Sequence, residues 1–149
     1  MYGDTRVIRG LARRMRDQAD DLRSEADRLV GQADAVWWTG WAADGMRSRA
    51  RARGSALRHT ATLHDDAAQA LERHADEVDR LKELIAWVEH RAERLVASAR
   101  ERLADLGRRF LAGMRDVVPD PLDRLLDRFV PPPHGHRDWL TVDLPGLGR

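Results

Sequence analysis

AVWWTGWAADGM, residues 35–46, is the stretch that decides the fold. It separates two long runs of helical periodicity, and three of the chain's five tryptophans (Trp37, Trp38 and Trp41) fall inside it. Gly40 is a helix breaker and Thr39 a fair cap for the second helix. The stretch therefore predicts a tight connection between two antiparallel helices. Gly40 would supply the backbone freedom, and Trp38 would fold over the hairpin end and cover its open core.

Upstream of the turn the chain keeps a seven-residue rhythm. Ile8, Met15, Leu22, Leu29 and Val36 recur at that spacing, and Ala12, Ala19, Ala26 and Ala33 follow four places later. Large apolar residues alternating with alanine make a narrow stripe along one helix face, and the small residues let a second helix approach closely. Asp4 or Thr5 suits the N-cap. A helix of about 32 residues spans roughly 48 Å at the standard rise. Downstream, the pattern resumes at Ala42. It is weakened at Gly54, by about 1 kcal/mol relative to alanine. Leu57, Ala61, His64, Ala68, Leu71, Ala75, Val78, Leu81, Ile85, Val88, Ala92, Leu95, Ala99, Leu103, Leu106 and Phe110 then follow at three- and four-residue steps, with no proline before Pro119. An unbroken helix over this span would reach on the order of 100 Å, more than twice its partner. Either its distal part projects as an arm or it bends back as a third helix.

Pro119 and Pro121 are expected to end the long helix, with Pro121 opening a short one over LDRLLDRF. Beyond it, Pro131 to Pro133, HGHRDW and PGLGR read as an extended or disordered tail, with Trp139, Leu140, Val142 and Leu144 as residues able to dock. The expected organisation is thus a hairpin domain over 1–117, with its extended distal helix, and a short helix and tail over 118–149. The fold class is all-α.

Of the 149 residues 42% are hydrophobic and 34% charged, and 26 basic against 25 acidic side chains leave a net charge of +1. Such balance gives no general electrostatic grip on nucleic acid or anionic lipid. Cysteine is absent, which removes disulfides and thiolate metal sites. No stretch approaches the roughly 20 apolar residues of a membrane span, and the first residues lack the pattern of a cleaved signal. His59, His64 and His74 are spaced five and ten apart, off the i, i+4 spacing of helical metal ligands, and His134 and His136 lie in the tail. No metal or cofactor is expected. Arg47, Arg49, Arg51, Arg53 and Arg58 form a stretch of basic residues without an acid, read as a solvated face balanced elsewhere or as a surface for an acidic partner. No serine belongs to a His–carboxylate set and no Gly-rich loop cradles phosphate, so no catalytic residue is expected.

Trp38 to Met46, W-T-G-W-A-A-D-G-M, resembles the Trp-x-Gly turn of the WXG family of ESX-type (type VII) secretion proteins, whose usual form is W-x-G-x-A-A-x-x-F. Trp38 and Gly40 match its signature and Ala42 and Ala43 its small pair, with Trp41 alongside; Met46 stands where an aromatic is common. Closest in pattern are the N-terminal helical export modules of actinobacterial effectors, through Leu11 to Arg16 (LARRMR) and Ala70 to Ala75 (ALERHA). The resemblance spans about residues 4–100. It implies a secreted partner or export adaptor that pairs helix to helix with a second hairpin, a larger effector or its own copy, cytoplasmic before export by a route without a signal peptide. The family's Tyr-x-x-x-Asp/Glu export element has only a degenerate counterpart here, His74 to Val78, with neither the Tyr nor the acid. The expected pairing interface comprises Ile8, Leu11, Met15, Leu22 and Leu29 of the first helix, and Leu71, Val78, Leu81, Ile85, Val88 and Leu95 of the second. The alternative from a different class is a cytoplasmic coiled-coil scaffold that self-associates and has no link to secretion.

Circular dichroism is expected to report about three quarters of the residues as helix, well above the share in an average globular protein. A value below half, or a strand signature, would remove the hairpin argument.

Overall fold

The computed structural model describes residues 3–114 and 118–148. It is all-α: α1 (Thr5–Asp34), α2 (Trp41–Leu111), α3 (Pro121–Asp127) and a 3-10 turn at Arg137–Thr141, with no strand among the described residues. The chain divides into two compact units, one over Gly3–Val78 and one from Asp79 onward, with α2 contributing to both. The expected boundary at residue 117 lies outside the described residues.

The first unit is the hairpin. Asp4 caps α1, its carboxylate accepting the backbone N–H of Arg6 at 2.9 Å. What α1 buries most deeply is not its large apolar stripe but a seam of small residues. Thr5, Ala12, Ala19, Ala26 and Ala33 recur every seven residues, and each is buried. On α2 the matching set is Gly54, Ala61, Ala68 and Ala75, again seven apart and buried. Ile8, Leu11, Met15, Leu22, Leu29 and Leu71 flank the seam and remain half-buried.

Gly54 has a steric role in this packing. A Cβ added there would lie 2.8 Å from Val30 Cγ2 and 3.5 Å from the Ala26 carbonyl oxygen. The glycine that weakens α2 as an isolated helix is what lets α1 approach.

Ion pairs fix the antiparallel register. Arg9 meets Asp76 at 2.8 Å, and Arg16 and Arg23 pair with Glu72 and Asp65. Nearer the turn the polarity reverses: Asp27 receives Arg58 at 2.6 Å and Asp34 receives Arg51 at 2.9 Å. A parallel pairing would set the arginines of α1 against those of α2. Each exposed pair contributes little energy, about 0.2–1 kcal/mol, so their main effect is on register. Arg51 and Arg58 are thereby balanced within the hairpin, as a solvated face balanced elsewhere requires. The Arg16 guanidinium, bonded to Glu72, holds that carboxyl below the ordinary carboxylate range.

The second unit settles how the distal half of α2 is covered. Ile85, Val88, Ala92 and Ala99 form one apolar cluster with Leu126 of α3 and with Trp139, Leu144 and Leu147 of the C-terminal segment; Leu95, Phe129, Leu140 and Val142 pack at its edge. Trp139, 1% exposed, is the largest fully buried side chain. Its ring lies 6.2 Å from that of Phe129, and its Nε1 donates to the Pro133 carbonyl at 3.1 Å. The expectation of an extended or disordered tail is corrected here. Single large side chains at Leu126, Trp139, Leu144 and Leu147 bury enough apolar area to hold a segment with little repetitive structure.

Polar contacts follow the same path. Arg102 binds Asp123 through Nε at 3.0 Å to both carboxylate oxygens, and holds that carboxyl below its usual range. Arg100 pairs with Asp127 at 3.1 Å. Asp120 caps α3 by accepting the Leu122 N–H at 2.8 Å, with Pro121 in the first turn as expected. The end of α2 differs from expectation. Gly113, at φ +91°, and bonds from Gly113 N to Phe110 O and Met114 N to Arg109 O close the helix before Pro119 is reached. This is the usual work of a left-handed glycine at a helix C-terminus. Phe110 and Leu111 stay exposed beyond the covered stretch.

Three outcomes are expected. Trp139→Ala should cost about 3–5 kcal/mol, as a large-to-small change in a packed cluster, read by chemical denaturation. Gly54→Ala should destabilise the wild type by about 1–2 kcal/mol and do so far less in a Val30→Ala background; a double-mutant cycle without coupling would mean that the helices do not approach at Gly54. Because the Glu72 and Asp123 carboxyls are depressed, their stabilisation is fully present above the ordinary carboxylate pKa of about 4 and is lost as pH falls through the folded values. Thermal melts down to pH 2.5 should show this loss, and Arg16→Gln should shrink it.

Candidate functional site

The chain turns over Ala35–Gly40, and its local geometry rests on three residues. Ala35 N donates to the Gly31 carbonyl at 3.0 Å and closes α1. Gly40 adopts φ +105°, a region that side-chain-bearing residues rarely enter, and its carbonyl accepts Asp44 N at 3.0 Å to start α2. Gly40, and not Thr39, therefore immediately precedes the first helical residue. Arg47 then reaches back from α2: its Nη2 donates to the carbonyls of Val36 at 2.8 Å and Trp38 at 3.1 Å, while Nη1 lies 3.4 Å from Asp44. The side chain bridges the loop carbonyls to the second helix. In the sequence Arg47 belongs to an arginine-rich stretch without an acid; only its position in the second turn of α2 hints that it can reach the loop.

Of the three tryptophans, Trp38, expected to cover the hairpin end, is the least exposed. Trp37 is 91% exposed and Trp41 90%, and Trp38 retains 37%. Trp38 thus covers the hairpin end only in part, and the end is closed by smaller residues, with Ala33 and Ala43 buried and Val36 and Met46 half-buried. The physical reason is the seam. Helices brought together by alanine and glycine leave no space at the turn that needs an indole to fill it. Two bare indoles at the apex are then a surface feature, on a loop whose carbonyls Arg47 holds. Trp and Arg are the side chains most enriched among energetically dominant contacts of protein interfaces. Among other turn residues, Ala42 is exposed.

The remaining sequence candidates fall in separate places. Val78, Ile85 and Val88 are buried and Leu81 and Leu95 half-buried, so in the second unit the expected pairing positions 85, 88 and 95 are occupied by the chain's own C-terminal segment. In the degenerate export element His74 is exposed and Val78 buried. The tail histidines have structural partners: His134 Nδ1 lies 2.7 Å from Glu89, and His136 Nδ1 accepts the Asp138 N–H at 3.3 Å. Among the described residues no group of three or more His, Asp or Glu side chains is placed to hold a metal ion, and no helix is long and apolar enough to cross a membrane.

Comparison of the chain with protein-family models, with curated proteins and with solved structures returned no match in any of the three. The fold and the turn define an all-α helical hairpin with an exposed aromatic apex.

Trp37→Ala and Trp41→Ala should each change stability by less than about 0.5 kcal/mol, the range of surface substitutions. Trp38→Ala should fall short of the roughly 3–5 kcal/mol of a fully buried ring, and Gly40→Val should exceed all three because φ there is positive. Differential scanning calorimetry on the four variants would reveal any other order.

Proposed function

We propose that the chain is a non-enzymatic helical binding protein of the ESX (type VII) secretion type, acting as a secreted partner or export adaptor for an effector. The observation that carries this is the apex: Trp37 and Trp41 bare to solvent on a turn fixed by Gly40 and Arg47. A protein that keeps two indoles in water forgoes their burial, which a partner's surface would recover. The hairpin supplies the second half of the argument. Its two helices cover one side of each other, leaving Ile8, Leu11, Met15, Leu22, Leu29 and Leu71 half-buried, and a second hairpin packed on that stripe completes a four-helix bundle. Recognition would be by helix pairing, with no cofactor, metal or nucleic acid, and the protein would be cytoplasmic before export. The same stripe also supports a rival, a self-associating coiled-coil scaffold unrelated to secretion.

The two readings separate in a host with an ESX system that expresses the tagged full chain. On the first, a hairpin partner or effector co-purifies, the chain or its cargo reaches the medium, and Trp37→Ala with Trp41→Ala abolishes one or both without lowering the melting temperature. A homo-oligomer by light scattering, disrupted by Leu22→Asp with Met15→Asp and indifferent to the tryptophan changes and to the secretion system, establishes the scaffold instead.

A further inference from the structure

The C-terminal segment occupies a face of α2 built to take a helix. Ile85, Ala92 and Ala99 recur every seven residues, as do Leu81, Val88 and Leu95, the two interleaved rows of a coiled-coil seam. Its occupant is mostly irregular. Only α3 and the 3-10 turn are helical, Pro131 to Pro133 interrupt the rest, and Gly135 and Gly146 hold positive φ at +66° and +87°. Among the described residues no backbone–backbone hydrogen bond joins the segment to α2. The polar ties run through side chains: Arg91 to the Gly146 carbonyl at 3.2 Å, Arg100 to Asp127, Arg102 to Asp123, and Glu89 to the His134–Gly135 corner.

Two features say what else would bind there. Glu89 is a buried carboxylate, 5% exposed, met among the described residues by His134 Nδ1 at 2.7 Å and Gly135 N at 3.3 Å. A buried carboxylate must be met by donors, and a cation does so best. Next to it the seam lies open. Leu81, Leu84, Trp87 and Val88 of α2 line an apolar groove of about 660 Å³ with Leu140 and Gly148 of the segment, and Leu84 and Trp87 are 47% and 46% exposed.

We propose that the segment Asp120–Gly148 is a resident cover on a second helix-binding face, displaced by an amphipathic partner helix that carries leucine and alanine at heptad spacing and an arginine or lysine opposite Glu89. The open groove is the entry point, where the helix gains apolar contact before Leu147, Leu144 and then Trp139 are lifted out. The proposal rests on the helix-pairing part of the reading above and not on secretion or the tryptophan apex. While the cover is docked, the competent face is only fractionally available, so apparent affinity is reduced by that fraction.

The test uses the full chain and a labelled synthetic helix of about four heptads, with leucine and alanine on its seam and one central arginine. Affinity is read by fluorescence anisotropy, and hydrogen exchange reports on residues 118–148. The peptide should bind the wild type and raise exchange across the segment, and should bind Leu144→Ser with Leu147→Ser roughly tenfold more tightly because the cover is loosened. Trp139→Ala should act in the same direction, with unchanged exchange in residues 5–78 as the check that the hairpin stays folded. Replacing the central arginine by glutamate, or Trp87 by Asp, should weaken binding by roughly tenfold. Binding that leaves segment exchange unchanged, equal affinity for wild type and both loosened variants, or indifference to the peptide's charge would each overturn the proposal, and no binding to any variant would do the same. None of these outcomes depends on export or on Trp37 and Trp41.

Discussion

The close approach of two backbones along an alanine and glycine seam is the constraint that shapes the whole hairpin. Thr5, Ala12, Ala19, Ala26 and Ala33 on one side and Gly54, Ala61, Ala68 and Ala75 on the other leave little side-chain volume between the helices. At such separation, dispersion contacts run from backbone to methyl group, and one extra carbon is felt. The 2.8 Å approach of Val30 to a Cβ at Gly54 makes this plain. The larger residues of the heptads are pushed to the flanks, where they are half covered. The arginine–carboxylate pairs sit within reach across the narrow seam and specify its direction. The turn inherits its form from this as well, since closely spaced helices need a short connection and leave no hole for an indole.

In the second unit the balance is reversed. There α2 presents Ile85, Val88 and Leu95 beside its alanines, and the complement is supplied by large side chains on an irregular segment. Trp139, Leu126, Leu144 and Leu147 are bulky enough to fill the space a helix would fill, but among the described residues no backbone–backbone hydrogen bond ties their segment to α2. One helix thus has two modes of cover along its length: one by another helix packed along a seam of small residues, and a side-chain-mediated one by an irregular segment. The difference matters for function, because binding surfaces tend to be drawn from the parts of a protein that open at low cost.

Much of this is legible in the chain. Seven-residue spacing of alanines identifies α1 and its seam, Gly40 marks the turn, Asp4 the cap and Pro121 the start of α3, because each is a local preference that tertiary context reinforces. The positive φ at Gly40 can be anticipated because few other residues occupy that region. Which of the two interleaved stripes is buried deepest cannot, since periodicity places Leu22 and Ala26 on the same face and only interhelical distance ranks them. The helix end at Gly113 is easily passed over for Pro119, a louder signal but a later one.

Spacing, charge and backbone preference act within short range, and they suffice to specify the helical hairpin, its antiparallel sense and the position of its turn. Long-range packing decided the rest: that Trp37 and Trp41 face solvent, that Arg47 clamps the turn, and that the C-terminal segment docks on α2 around Trp139. The docking depends on which surfaces meet across long stretches of chain, as in the 45-residue separation of His134 and Glu89. Composition is silent there: a proline-rich stretch with scattered large apolar residues reads as a tail until a face of matching shape is present to bury them.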